Sequence, residues 1–241
     1  MVGVTSAATV TWHDVENGAY EADLPLWREL AEAAAGPILD LGAGTGRVAA
    51  DLAARGHELV ALDNDAELLQ ALAARAASVT AVHADACRFE LGRRFALVLA
   101  PMQLVQILGG PAARAAMLQR VHAHLEQGGT FAAALAEPAD ALPDGDPIPP
   151  LPDMLESDGW VFSSQPVSVL ERNEHVVVTR RRQAVSPAGD LREDVVEIAL
   201  ELLGVERFEL ELRTAGFTKL ERREIPETPE HIGSTVVLCR R

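Results

Sequence analysis

Between residues 19 and 136 the apolar positions switch regularly between helical spacing and short unbroken runs. Residues 19–35 place Tyr20, Leu24, Trp27 and Leu30 on one helical face, and Gly36-Pro37 closes that helix. Ile38-Leu39-Asp40-Leu41 then reads as a short strand, followed by glycines and a helix to Arg55. Further strands are expected at 57–62, 79–84, 95–100 and 130–136. A helix over 65–77 takes Asp65 as its N-cap, and a longer one opens at Pro111 and ends before Gly128-Gly129. Strands separated by helices in this way indicate βαβ units around a parallel sheet.

The alternation stops after residue 136. Residues 138–152 hold six of the 14 prolines together with Asp144-Gly145-Asp146, which predicts a loop. Runs rich in β-branched residues at 161–164, 167–171 and 175–185, continued more weakly over 191–203, predict an antiparallel insert. A short helix over 208–215 and strands at 217–225 and 234–240 close the chain. The expected organisation is an N-terminal helical cap (1–36), a core formed by 37–136 and 206–241, and an insert over 137–205 that serves as a lid, a substrate wall or a dimer contact.

The chemistry concentrates in one segment, from Ile38 to Arg47. A strand runs into Gly42, Gly44 and Gly46, and a helix follows at once. Glycines there let a ligand approach the backbone and leave amide groups exposed at a helix N-terminus. Asp63 ends the second strand 21 residues after Gly42, where a carboxylate can accept ribose hydroxyl protons. The spacing is Gly-x-Gly-x-Gly rather than the GxGxxG of dinucleotide sites. Asp40, two residues ahead of Gly42, would repel a pyrophosphate but suits a ligand bearing an ammonium and a sulfonium. Asp85, after the third strand, is placed to accept a hydrogen bond from an adenine amino group, or simply to cap a helix.

On these residues the chain resembles the class I S-adenosylmethionine-dependent methyltransferases over 37–136. Leu39-Asp40-Leu41-Gly42-Ala43-Gly44-Thr45-Gly46 is similar to that family's first motif, Leu62-Asp63-Asn64-Asp65 to its second-strand acidic motif, and Ala84-Asp85-Ala86 to its adenine motif. Gln127-Gly128-Gly129-Thr130 resembles the turn before its fifth strand, and 208–224 its closing helix and sixth strand. The resemblance implies a Rossmann-like α/β fold. Its mostly parallel seven-stranded sheet has helices on both faces and an antiparallel last strand between the fifth and sixth. It further implies S-adenosyl-L-methionine as cofactor and S-adenosyl-L-homocysteine as product. The cofactor would be held by Tyr20, Asp40, Gly42, Ala43, Gly44, Thr45, Gly46, Asp63, Asn64, Asp85, Ala86, Pro101 and Met102.

In that fold the loop before the last strand lies at the cofactor edge, so His231 is a candidate base; a surface loop histidine is the plainer alternative. Gln103, following strand four, is a candidate for orienting the nucleophile, and Gln106 is either a second one or an exposed helix residue. Trp27 is assigned to the core and Trp12 is left open. His83, His122 and His124 are read as structural. In Arg180-Arg181-Arg182, strand alternation sends Arg181 to the opposite face, and the run is read as a solvated edge.

Composition narrows the acceptor. Lys plus Arg is 21 and Asp plus Glu is 36, a net charge of −15, which disfavours nucleic acid and anionic membranes as partners. Lys219 is the only lysine, which excludes a Walker A loop and the two-lysine tetrad of ribose 2′-O-methyltransferases. No Asn/Asp-Pro-Pro-Tyr motif and no Pro-Cys pair is present, against base amino-methylation and cytosine C5 chemistry. Cys87 and Cys239 lie far apart and imply neither a disulfide framework nor a zinc site. No signal sequence or membrane span is read, so a cytoplasmic location is expected. The expected activity is methyl transfer to an oxygen or nitrogen of a small molecule. The insert resembles the antiparallel additions of aminosugar N-methyltransferases in placement only, and it is a candidate homodimer contact. A non-catalytic binding protein and, less favoured, a nicotinamide-dependent oxidoreductase are the alternatives.

Overall fold

The computed structural model describes residues 6–136, 151–228 and 231–241. Its main sheet has seven strands in the order β10-β11-β5-β4-β1-β2-β3. These are β1 (Ile38–Leu41), β2 (Leu59–Asp63), β3 (Thr80–His83), β4 (Phe95–Ala100), β5 (Leu125–Ala136), β10 (Thr218–Ile225) and β11 (Ser234–Arg240). Strands β1 to β5 pair in parallel, and β11 runs antiparallel to both β5 and β10. This is the seven-stranded arrangement expected, with the last strand between the fifth and sixth. The remaining strands, β6 (Asp153–Ser157), β7 (Trp160–Arg172), β8 (His175–Val185) and β9 (Leu191–Glu201), form an antiparallel sheet in sequential order.

Alternation along the central strands builds two cores, one on each face of the sheet. Leu39, Leu41, Val60 and Leu62 face one side, with Phe131 and Phe208. Ile38, Leu59 and Ala61 face the other, with Trp27, Val48 and Leu72. The second layer contains α2 (Leu24–Glu32), α3 (Arg47–Ala54) and α4 (Ala66–Arg75). Asp40 shares the parity of Ile38 and is directed into it.

Several boundaries differ from the expectation. The helix predicted over 19–35 is confined to Leu24–Glu32, where Leu24, Leu26, Trp27 and Ala31 are buried. A separate helix, α1 (Ser6–Asn17), precedes it, ahead of the predicted one. Its weak hydrophobic periodicity hid it, because it is held mainly by polar contacts to the rest of the chain. The insert strands start earlier than 160, at Asp153, and the runs at 161–164 and 167–171 are one continuous strand interrupted by a bulge after Pro166. Asp65 caps α4 as predicted, accepting from Glu67 N at 2.8 Å and Leu68 N at 3.2 Å. Most of the proline-rich segment, 137–150, lies outside the described residues.

The insert is joined to the core by a buried polar clamp. Arg114, on α6 (Pro111–His124), is fully buried. It pairs with Glu201 at the end of β9 and with Glu211 on α7 (Val205–Thr214), the latter at 2.7 and 2.9 Å. Beside it, Gln106 on α5 (Leu104–Ile107) accepts from Ala136 N at 2.9 Å. It also donates to Ala136 O at 2.9 Å and to Glu201 O at 3.2 Å. Gln106 is thus neither an exposed helix residue nor an acceptor contact: its amide completes the end of β5.

Candidate active site

The strand–loop–helix unit forms as read. Gly42 N and Ala43 N both donate to Leu62 O, at 2.8 and 3.1 Å, which folds the loop back over β2. Gly46 caps α3 at φ +91°, and a Cβ there would lie 2.0 Å from Leu72 Cδ1, so only glycine fits. Asp63, 8% exposed, accepts from Gly44 N at 2.7 Å on one oxygen and from Asp65 N at 2.9 Å on the other. Each oxygen retains a lone pair for a ligand hydroxyl. Asn64 is exposed and its carbonyl meets His83 Nε2 at 3.0 Å. Asp85 is exposed too; it caps the following turn through Cys87 N at 2.8 Å and leaves its second oxygen toward solvent near Arg88, while Ala86 is buried.

Beneath the loop lies a compact set of charges. Asp40 is buried and its Oδ1 has no hydrogen-bond partner among the described residues. Burial pushes its carboxyl up to about 7, against the pull of Arg47 and reinforced by Asp63 and Asp23. Asp23, itself buried, takes a bidentate pair from Arg47 at 2.6 and 2.8 Å and a bond from Trp27 Nε1 at 2.7 Å. Arg47 also donates to Tyr20 O at 2.7 Å and lies 5.1 Å from the Tyr20 ring centre. The His231 ring lies against Tyr20, tilted by 38° with centroids 4.8 Å apart. Tyr20 is therefore a buried tie between the glycine-loop helix and the β10–β11 loop.

His231 lies beside Tyr20, and its backbone forms a tight turn with Thr228. Pro101 and Met102 follow β4, and Met102 holds a left-handed backbone at φ +54°, an uncommon conformation for a side-chain-bearing residue. Gln103 is half-buried and opens α5 without a side-chain cap bond.

Facing this edge, the insert and α1 present paired charges that sequence reasoning missed. Arg180 bonds Asp153 and Ser164, the latter at 2.8 Å, and Arg182 pairs with Glu16 at 2.8 Å on both oxygens while lying over Trp12. The reading of 180–182 as a solvated edge is corrected. Strand β8 is paired on both sides, and only Arg181 of the three faces solvent. No local pattern marks Glu16 and Asp153, 137 residues apart in sequence, as the carboxylates that pair with these arginines.

Residues 38–129 match the family model described as a methyltransferase domain. The match covers that stretch alone. It spans β1 to the turn within β5, and therefore includes the glycine loop, Asp63 and Asp85. The whole chain has the fold of DesVI from Streptomyces venezuelae, at a TM-score of 0.76 and 19% identity over 98% of each chain. It is similar to CalS10, an amino pentose methyltransferase from Micromonospora echinaspora, at 0.73 and 19% over 96% of each. It is also similar to the sugar N-methyltransferase KedS8 from a Streptoalloteichus species, at 0.73 and 20% over 100% of this chain and 89% of that one. No curated protein matches the chain in sequence. Because the DesVI likeness covers nearly all of both chains, it takes in the insert and the N-terminal helices as well as the methyltransferase domain. Among the described residues no helix is long and apolar enough to cross a membrane.

Proposed function

We propose that this chain is an S-adenosylmethionine-dependent methyltransferase that modifies a nitrogen or oxygen of a polar small molecule. One observation carries the reading: the methyltransferase-domain match coincides with a glycine loop bounded by two buried carboxylates, Asp63 and Asp40. The residues fit the cofactor. Asp63 keeps lone pairs for ribose hydroxyls, and the orphaned Oδ1 of Asp40 lies where a cationic amino-acid moiety would compensate it. When bound, S-adenosylmethionine supplies an electrophilic methyl group on a sulfonium.

The chain's own residues would align the acceptor and exclude water. The Pro101-Met102-Gln103 turn forms one wall of the acceptor space. His231, held against Tyr20, is the candidate to take the acceptor's proton, and Gln103 the candidate to orient it. The paired charges of Asp153, Arg180 and Glu16 make the insert side of that space polar. Two of the structural neighbours are named for sugar or amino-pentose methylation, which favours a polyhydroxylated amine as the first acceptor class to assay. The same proposal includes a cytoplasmic location and self-association through the insert, whose outer positions Leu191 and Val195 are exposed.

Calorimetric titration of wild type and Asp63→Ala with S-adenosylmethionine, S-adenosylhomocysteine and NAD tests the cofactor. Binding of both sulfur nucleosides to wild type, weakened at least tenfold in the variant, is expected. Binding of NAD alone would assign the loop to an oxidoreductase. Cofactor binding without turnover on any amine or hydroxyl panel would leave a binding protein.

A further inference from the structure

Helix α1 crosses the glycine loop and brings His13 onto it. A Cβ at Gly44, where φ is +55°, would lie 2.3 Å from His13 Nε2 and 2.5 Å from Cε1, so the imidazole rests directly on the Gly44 backbone. The helix is fixed there from both sides. Asp14 accepts from Thr45 Oγ1 at 2.8 Å and from Arg75 at 2.9 and 2.5 Å, while Glu16 is held by Ser164 and Arg182 of the insert. His13 is thus presented to the loop by a helix anchored through Asp14 and Glu16, which follow it.

The hydrogen-bond pattern determines the tautomer. Thr45 has a single hydroxyl hydrogen, and Asp14 receives it. At the 3.3 Å contact between Thr45 Oγ1 and His13 Nδ1, the oxygen therefore accepts and Nδ1 carries the proton. Burial holds the imidazole below its ordinary pKa, opposed by Asp14, Asp63 and Glu16 and assisted by Arg47, so the ring is neutral at pH 7. Nε2 is then a bare acceptor. It makes no hydrogen bond among the described residues, and it lies on the loop face within the field of Asp63.

We propose that His13 is a nucleoside-binding residue whose Nε2 accepts a hydrogen bond from a ribose hydroxyl of the cofactor, beside Asp63. The inference rests on the S-adenosylmethionine reading of the site. It adds a partner for the sugar that comes from outside the methyltransferase-domain match and from a helix that local periodicity does not reveal. Two acceptors of different charge on one diol would select a ribose over a deoxyribose.

The test is a binding cycle by calorimetry with S-adenosylhomocysteine and its 2′-deoxy and 3′-deoxy analogues. The proteins are wild type, His13→Phe and His13→Gln, each first checked by thermal melting. Phenylalanine keeps the ring and removes the acceptor; glutamine keeps a polar acceptor. His13→Phe is expected to bind S-adenosylhomocysteine about five- to tenfold more weakly than wild type, the worth of one hydrogen bond. Against one of the two deoxy analogues the two proteins should bind equally, and His13→Gln should recover part of the loss. A packing role alone would weaken all three ligands by the same factor in His13→Phe, which overturns the proposal. If His13→Phe does not fold, His13→Leu, which also lacks the acceptor, is read in its place. If wild type binds NAD but not S-adenosylhomocysteine, the cofactor reading fails and the proposal with it. If wild type binds S-adenosylhomocysteine and its deoxy analogues equally, neither Asp63 nor His13 holds the diol, and the proposal fails while the cofactor reading stands.

Discussion

Replacing Asp40 with asparagine should make the unliganded protein more stable at pH 8 while weakening its hold on S-adenosylmethionine. The carboxyl is buried and its pKa rises from 3.8 to about 7. A group whose folded pKa lies above its unfolded value binds its proton more tightly when folded. Stability is therefore present below 3.8 and is lost as pH rises toward 7. Relative to the fully protonated state, the penalty is ~1.7 kcal/mol at pH 5 and ~4.3 kcal/mol at pH 8, an order-of-magnitude figure from 1.36 kcal/mol per pKa unit. The asparagine amide carries no such dependence. Whatever its own constant desolvation cost, the stability difference between variant and wild type should widen by about 2–3 kcal/mol in favour of the variant between pH 5 and pH 8. In a chain of this size that corresponds to about 5–10 °C in Tm. Differential scanning calorimetry of both proteins at the two pH values reads it directly, with calorimetric titration of S-adenosylmethionine alongside. Parallel pH dependence of the two Tm values would refute the argument, because it would mean that Asp40 is already ionised at little cost in the folded state.

The Asp23–Arg47 pair should be costly to break from one side. Asp23→Ala leaves a nearly buried guanidinium and the Trp27 indole unpaired, and a loss of about 3–5 kcal/mol is expected in urea unfolding. Glu201→Ala, which strips one partner from the fully buried Arg114, should destabilise by a similar ~3 kcal/mol and loosen the insert, read as faster amide exchange in β9. Two glycine substitutions at positive φ should part company. Gly46→Ala places a Cβ 2.0 Å from Leu72 and is expected to abolish soluble expression, whereas Gly189→Ala, with no heavy atom within 4 Å, should cost only ~1–2 kcal/mol of backbone strain. A protein in which both behave alike would contradict the loop packing described above.

Much of the site is legible without a structure because its parts are local. The run from Ile38 to Gly46 contains strand, turn and helix cap within nine residues, and each glycine there answers a backbone need that no other residue meets. Asp63 and Asp85 are legible for the same reason, since each ends or follows a strand whose period can be read directly. Helix α1 is the opposite case. It carries little apolar periodicity because its partners are polar: Thr45 and Arg75 for Asp14, Ser164 and Arg182 for Glu16. Gln106 misled for a related reason, since a glutamine's role depends on whether a strand end needs its amide. Ala136 does.

The sequence by itself determined the parallel core, the glycine loop and the acidic residues that flank it, because hydrophobic period and turn chemistry are properties of neighbouring residues. Only the tertiary structure decided what stands over that loop. His13 reaches it from α1, and the contact of Tyr20 with His231, both already candidates from the sequence, depends on strand order and on long-range ion pairs. Charge pairs of that kind have no preferred sequence separation, so nothing in the order of residues announces them before the chain has folded.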